Sequence, residues 1–273
     1  MTNPDIHGMT VRKTLLSAVL LSAVLSCAAE MFNFNTPSTW RQNKHFIPAE
    51  DGAMLIKASA RLAVRNSISV DPEKTYKFSF QIRRAPDSKK QPVVYLSCIP
   101  TNEVGREIYM HNVTPLKGSE GTLVTDCAKD STDFIVKPVN EKYWASCKSW
   151  RVCFNAVKDY SDIPNFAVTN NIQKVEKLED GTVKVTLRGK AGVAAKAGTA
   201  VRITQGGAYM YLKTIKPKAE WETVTATVKG VNAPGWSNTM FPAGPVAFAP
   251  VLLANWGSSG SSFEIKNFKV EDL

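Results

Sequence analysis

Short runs of alternating apolar and polar residues constrain the fold of this chain more than any other feature. The clearest run covers residues 76–83 (YKFSFQIR), where every second side chain is apolar. Side chains on a β-strand alternate between the two faces of a sheet. We therefore expect Tyr76, Phe78, Phe80 and Ile82 to point into a core and the residues between them to point outward.

Similar runs recur along the chain, separated by Gly, Pro, Asn and Asp, and few stretches have helical periodicity. The runs cover residues 53–56, 62–70, 76–82, 93–99, 182–187, 222–228, 247–253 and 263–270. Many short strands at such intervals are typical of a β-sandwich or barrel. The sequence therefore predicts an all-β protein.

Four segments resemble the motifs of one protein family. They are residues 50–56 (EDGAMLI), 67–80 (SISVDPEKTYKFSF), 221–224 (WETV) and 263–270 (FEIKNFKV). In this order they resemble carbohydrate-binding modules of families four and nine, which are jelly-roll sandwiches of the galactose-binding-like group. The resemblance covers about half of the chain and rests on structural motifs rather than on ligand contacts. It implies a jelly-roll β-sandwich that binds a glycan, and we expect Trp221 to be a core residue.

Two positions depart from the pattern of that family. Glu73 stands where a turn glycine is usual, and Asn267 stands near where an acidic residue often helps to hold a structural calcium. We expect no cofactor, and the sequence leaves open whether a structural calcium is bound.

The middle of the chain does not fit the family pattern. The stretch between about Gly118 and Gly207 is far longer than an ordinary connection of ~4–6 residues. It contains strand-like segments and a predicted hairpin over 172–187 with an Asp-Gly turn. We expect three parts: a signal sequence in 1–29, a sandwich formed by 30–117 and 208–273, and a small β subdomain inserted as 118–207.

The N-terminal segment has the order of a bacterial signal sequence. Arg12 and Lys13 precede an apolar run over 15–25, which small residues follow. The run is too short to cross a membrane as a helix, which takes about 20 apolar residues. We expect residues 9–29 to direct export, with Met1 or Met9 as the start. The mature chain would then be secreted, periplasmic or lipid-anchored at the bacterial cell envelope.

Cys27 separates two forms of the exported chain. Residues 24–27 (VLSC) resemble the lipobox at which lipoproteins are cut and acylated, although Leu25 stands where a smaller residue is usual. Cleavage after Ala28 or Ala29 would discard Cys27, whereas lipidation at Cys27 would anchor the chain to a membrane. The sequence leaves both alternatives open.

Cysteines of the mature part predict disulfides. There are four of them: Cys98, Cys127, Cys147 and Cys153. An even number in an exported chain favours pairing, and three pairings are open. We expect at least one bridge within the inserted subdomain. A metal site is not favoured, because there is no C-x-x-C pair and His45 and His111 lie far from the cysteine cluster in sequence.

The net charge of the chain helps to predict the class of its binding partner. The formal net charge is +10, and removing the predicted signal leaves about +9. Basic residues are spread along the chain without a nucleic-acid motif. We expect a polysaccharide or other extracellular glycan as partner, no nucleic acid, and membrane contact only through a lipid anchor. The oligomeric state is open.

Catalytic motifs are scarce. No G-x-S-x-G, H-E-x-x-H or phosphate loop is present. Tyr109 and His111 form the best acid–base cluster, of the kind a polysaccharide lyase uses. The acidic clusters 159–162 and 176–180 could serve a glycoside hydrolase, but both lie in turn-like contexts. A lyase or hydrolase is therefore an alternative and not the leading prediction.

A glycan-binding site needs flat aromatic rings beside planar polar side chains. The candidate ligand-binding residues are Gln81, Arg83, Tyr95, Tyr109, Trp236, Asn255 and Trp256. They predict a non-catalytic carbohydrate-binding protein, provided that the strand and loop candidates share one exposed face. A structural or adhesive envelope protein is the other alternative.

Overall fold

The computed structural model describes residues 31–145 and 147–273. The predicted signal sequence and Cys27 lie outside the described residues. No helix in the described part of the chain is long and apolar enough to span a membrane.

Two antiparallel sheets form a sandwich. Sheet A contains β1 (Met31–Asn33), β2 (Phe46–Pro48), β3 (Met54–Ile56), β6 (Thr75–Arg84), β15 (Glu222–Lys229) and β17 (Phe263–Asp272). Sheet B contains β4 (Ala60–Ala63), β5 (Ile68–Ser69), β7 (Val94–Thr101), β14 (Met210–Ile215) and β16 (Ala247–Ala254). The spatial order is β15-β6-β17-β3-β2 in sheet A and β14-β7-β16-β4 in sheet B, with β1 beside β17 and β5 beside β16.

The order of the strands is that of a jelly roll. Along the main path, successive strands β3, β4, β6 and β7 alternate between the two sheets, and so do β14, β15, β16 and β17. The connection from β7 to β14 is the exception, because these two strands are neighbours in sheet B. The insertion occupies this connection. The predicted all-β jelly-roll sandwich with an inserted β subdomain is therefore confirmed.

The insertion forms a third antiparallel sheet, the insert sheet. It contains β8 (Gly121–Leu123), β9 (Asp133–Pro138), β10 (Arg151–Phe154), β11 (Ile172–Lys177), β12 (Val183–Leu187) and β13 (Ala200–Thr204), in the order β10-β13-β8-β9-β12-β11. The predicted hairpin is β11 and β12. This sheet has a core of its own, which includes Phe134, Trp144 and Phe154. The residue numbers at which the insertion begins and ends stay a prediction.

Helices are few and short. The described chain has one α-helical turn, α1 (Met110–Val113), and four 3₁₀ turns, Pro37–Thr39, Asn43–His45, Glu50–Gly52 and Glu141–Tyr143. Helix α1 lies in the connection that leads from the sandwich into the insertion. The backbone N–H of Asn165, from the insertion, donates to the carbonyl oxygen of Asn112 in α1 at 2.8 Å, and the Asn112 amide donates back to the Asn165 carbonyl at 2.8 Å. The two units are therefore bonded to each other at this point.

Apolar side chains between sheets A and B form the main core, as the alternation predicted. Tyr76, Phe78, Phe80 and Ile82 are each at most 2% exposed. The sequence predicted one strand over 62–70, but the structure has β4 and β5 with a break between them. The strand β14 was not predicted.

An aromatic cluster lies at the centre of this core. The rings of Phe80 and Phe268 are stacked with their centres 5.0 Å apart, and Trp40 meets Phe268 edge to face at 5.4 Å. Trp40 and Phe268 are fully buried. The indole N–H of Trp40 donates to the carbonyl oxygen of Phe34 at 3.0 Å, so its polar atom is also satisfied. This cluster joins β6, β17 and the N-terminal segment.

The cysteine prediction is corrected by the structure, in which all four described cysteines are free and buried. Cys98 lies in the sandwich core, whereas Cys127 and Cys147 lie in the insert core. Cys153 follows Val152 on β10, and Val152 belongs to the insert core. Because neighbouring side chains on a strand face opposite ways, Cys153 points away from Cys127 and Cys147. The pleat therefore keeps Cys153 apart from the other two thiols of the insertion, and the separate cores keep Cys98 apart from Cys127 and Cys147. Cys127 and Cys147 share the insert core and are both free.

We predict that four thiols can be titrated in a chain that begins at residue 30. Burial raises the pKa of Cys147 and of Cys153 to about 11 and raises the pKa of Cys98 and Cys127 as well. A thiol reagent at neutral pH should therefore react slowly with the native protein and rapidly with all four thiols in denaturant. Fewer than four thiols in denaturant without reductant would contradict the free cysteines.

We predict that Phe268→Ala lowers the free energy of unfolding by about 3–5 kcal/mol, because the cavity left behind loses its ring contacts. The matched control is Trp236→Ala, since Trp236 is 45% exposed. The control should change stability by no more than about 0.5 kcal/mol. Denaturant unfolding measures both, and similar values for the two variants would contradict the central role of the aromatic cluster.

Candidate functional site

The outer face of sheet B has the chemistry of a binding surface. On β7, Leu96 and Cys98 point into the sandwich core. The residues that alternate with them, Tyr95, Ser97 and Ile99, therefore lie on the outer face. This face was not visible as a unit in the sequence, because its strands come from distant parts of the chain.

Small and aliphatic residues form the floor of this face. Ala63, Ile99, Val251 and Leu253 make one buried cluster. The pairing of β4, β16 and β7 sets Ala63 beside Val251 and Val251 beside Ser97. Each floor residue is at most 2% exposed, so the floor is covered.

Tyrosine rings form the layer above the floor. Tyr95 and Tyr209 pack directly against the floor cluster. Tyr211 on β14 contacts both rings at steep angles, with ring centres 5.5 Å from Tyr95 and 6.0 Å from Tyr209. Tyr211 is 37% exposed. We call Tyr95, Tyr209 and Tyr211 with their floor the tyrosine platform.

A charged cluster borders the tyrosine platform. The Arg61 guanidinium lies 5.7 Å from the centre of the Tyr209 ring and donates to Glu107 Oε1 at 2.8 Å. The Tyr109 hydroxyl donates to the other oxygen, Glu107 Oε2, at 2.7 Å. Burial opposes the charge of Glu107, but these two hydrogen bonds, together with the positive charges of Arg61 and Arg41, outweigh it and hold the pKa of Glu107 below its usual value. The hydrogen bond to Glu107 and burial raise the pKa of Tyr109.

His111 is set back from this surface. It is 7% exposed, and its Nδ1–H donates to the carbonyl oxygen of Gly207 at 3.0 Å. Burial and the charge of Arg151 lower the pKa of His111 to about 4. The imidazole is therefore neutral at neutral pH and serves to hold α1 against the segment that returns from the insertion.

Two of the seven ligand-binding candidates, Gln81 and Arg83, lie on the opposite side of the sandwich, on the outer face of sheet A. Arg83 donates to Glu264 at 2.6 Å, and its guanidinium lies 4.7 Å from the ring centre of Trp221. The Lys266 ammonium lies 4.4 Å from the same ring. The sequence placed Trp221 in the core, but the structure leaves it partly exposed between these cations.

The amide of Gln81 is engaged with another side chain. Its Oε1 accepts from Asn267 Nδ2 at 3.0 Å. Asn267 has a φ of 56° at a bulge in β17. The side chain of Asn267, which stands near the calcium position that the resemblance to carbohydrate-binding modules implies, is thus hydrogen-bonded to Gln81. In the described ranges no three His, Cys, Asp or Glu side chains are grouped as metal ligands.

The three loop candidates lie at the two ends of the sandwich. Trp236 is in the loop before β16 and is 45% exposed, whereas Trp256 is in the loop after it and is 50% exposed. A strand of eight residues separates these loops by roughly 23 Å. The structure corrects the role of Asn255, which is fully buried, donates to the Ala58 carbonyl and accepts from Ser261. Asn255 therefore holds its loop and presents no free group to a ligand.

A cavity of about 550 Å³ lies in the insertion and shares no residue with the tyrosine platform. Its lining is mainly apolar and includes the buried Arg202. The Arg202 guanidinium donates to Asp162 at 2.5 Å and to the Val157 carbonyl at 3.0 Å. Partners within the chain thus neutralise this arginine, and we assign it a structural role.

The sequence matches no protein-family model, and no curated protein is similar enough to count as a relative. The resemblance to carbohydrate-binding modules therefore stays a prediction.

The structure brings together two of the predicted residues, Tyr95 and Tyr109, with others that sequence reasoning missed. The missed residues include Tyr209, Tyr211 and Arg61. A signal for the tyrosines was present, since the segment Tyr-Met-Tyr puts two rings two residues apart and hence on one face of a strand. No local signal indicated that Arg61 pairs with a residue 46 positions away.

We predict that His111 makes folding stability depend on pH. An unfolded histidine has a pKa of about 6.5, and the folded value is about 4. Between these values the unfolded chain binds a proton that the folded chain does not, so stability falls as pH decreases through this window. Denaturant unfolding should show a steeper loss for the wild type than for His111→Gln. Parallel losses in the two proteins, or an NMR titration of His111 near 6.5, would contradict this.

Proposed function

We propose that this protein is an exported carbohydrate-binding protein that holds a polysaccharide on the tyrosine platform without altering it. One observation carries the proposal: three tyrosine rings lie together at one outer face of the sandwich, and two of them pack on a buried aliphatic floor. Such rings can cover the apolar faces of sugar rings.

The groups at the border of the platform suit the hydroxyls of a sugar. Arg61 is a donor with several N–H groups, Glu107 is an acceptor, and the Tyr109 hydroxyl can do both. Hydrogen bonds already fix these three side chains relative to one another. A ligand would therefore meet groups that lose little freedom on binding.

The chemistry of the same groups favours binding over catalysis. A glycoside hydrolase needs a carboxylic acid with a raised pKa, whereas the pKa of Glu107 is lowered. A lyase needs a base that reaches the ligand, whereas His111 is buried and bonded to Gly207. Both observations support a non-catalytic site.

The proposal includes the location expected from the sequence. A signal-like N-terminus and a net charge of +10 suit a protein that meets polysaccharide outside the cytoplasm. We propose secretion, the periplasm or a lipid anchor at the cell envelope as its location.

We predict that Tyr211→Ala weakens binding to the recognised glycan by about tenfold or more, which is about 1.4 kcal/mol. Tyr211→Phe keeps the ring and should retain most of the affinity. The matched control Trp236→Ala removes an exposed aromatic ring from a loop at the end of the sandwich and should bind as the wild type does. A glycan array followed by affinity gel electrophoresis measures these effects, and thermal unfolding checks that each variant is folded.

Two results would count against this proposal. Binding to no glycan on the array would overturn it and favour a structural or adhesive role. Equal binding by Tyr211→Ala and the wild type would move the site away from the tyrosine platform.

A further inference from the structure

Arg41 extends the charged border of the tyrosine platform. The segment before it joins the edge of sheet B, because Trp40 forms a bridge with Val64 and the Arg41 N–H donates to the Ala63 carbonyl at 2.9 Å. Trp40 points into the core. Arg41 begins the turn that follows, and its positive charge is one of the causes that lower the pKa of Glu107. Arg41 therefore lies near the charged border of the platform.

One row of residues crosses this face from Arg41 to Tyr211. It runs through Ala63, Val251 and Ser97, which are neighbours in successive strands. Four steps between strands separate the two ends by roughly 19 Å. The floor between them is buried under the side chains above it. A short run of sugar rings laid across the strands, over these side chains, would meet a tyrosine at one end and an arginine at the other.

The charges at this border do not balance. Arg61 and Tyr109 occupy both oxygens of Glu107. Arg41 is exposed, and among the described residues its guanidinium has no hydrogen-bond or ion-pair partner. Two guanidinium groups thus accompany one carboxylate, which leaves one positive charge at the edge of the platform.

We infer that the platform selects an acidic glycan, in which a uronic acid carboxylate binds Arg41 while neighbouring sugar rings lie on the tyrosines. This inference rests on the proposed function and adds its ligand class. A guanidinium matches a carboxylate in a planar, two-bond geometry that an ammonium group cannot reproduce. Arg61, which Glu107 holds in place, flanks the proposed position of this carboxylate. Its positive charge disfavours a cationic ligand there.

The test uses pairs of polysaccharides that differ only in charge. Each uronic acid polymer, such as polygalacturonate or alginate, is compared with its carboxyl-reduced form, which keeps the sugar stereochemistry but lacks the carboxylate. Calorimetry with the chain from residue 30 onward should show at least about tenfold weaker binding of the reduced form of the recognised polymer. Added salt should weaken binding of the acidic form.

Substitutions test which positive charge of the protein binds the carboxylate of the glycan. Arg41→Gln should weaken binding of the acidic polymer by about tenfold and leave the reduced polymer unaffected. Arg41→Lys keeps the charge but loses the planar fork, so its affinity should fall between those of the wild type and Arg41→Gln. The matched control is Lys129→Gln, which removes one positive charge from an exposed position in the insertion and should have no effect.

The outcomes separate this inference from the proposed function. If a neutral glycan binds the platform at least as well as every acidic polymer, the acidic class is overturned while glycan binding stands. A sulfated polysaccharide that binds better than every uronic acid polymer would overturn the carboxylate assignment. Unchanged binding by Arg41→Gln would overturn the role of Arg41, and the absence of binding to any glycan would overturn both proposals.

Discussion

Packing of the aromatic cluster between the two sheets is the constraint on which the rest of the structure depends. Phe80 and Phe268 stack across neighbouring strands of sheet A, and Trp40 closes the cluster from the N-terminal segment. Because side chains alternate along a strand, burying one set of residues decides which set points outward. The bridge between Trp40 and Val64 likewise holds the backbone of Arg41 at the edge of sheet B, where its charge acts on Glu107. The candidate surface is in this sense a consequence of the core.

The insertion and the candidate site are connected through the chain. Tyr109 lies just before α1, where the chain leaves the sandwich, and Tyr209 lies where it returns to β14. Hydrogen bonds of Asn112 and His111 hold these two connections to the insertion and to each other. The charged border and one ring of the tyrosine platform therefore depend on how the insertion is seated. This gives the inserted subdomain a part in shaping the site even though its own residues do not line it.

Local patterns predicted the strands of the sandwich well and the composition of the site poorly. The alternation in β6 and the hairpin of β11 and β12 are local features, and both were found. The seven candidate residues were chosen by type and exposure, and the structure distributes them over both faces and both ends of the sandwich. The disulfide prediction was wrong because parity and closeness in sequence say nothing about which face of a strand, or which core, a thiol occupies.

The sequence by itself determined the class of fold, since period-two alternation and frequent turn residues leave a sandwich of short strands as the way to bury so many apolar side chains. It also indicated a long insertion. Only the tertiary structure decided that Tyr95, Tyr209 and Tyr211 lie together and that Arg61 pairs with Glu107. Apart from Tyr209 and Tyr211, which are two residues apart, these residues meet through strand order and register. Strand order and register depend on contacts between distant segments, which no single stretch of the sequence reveals.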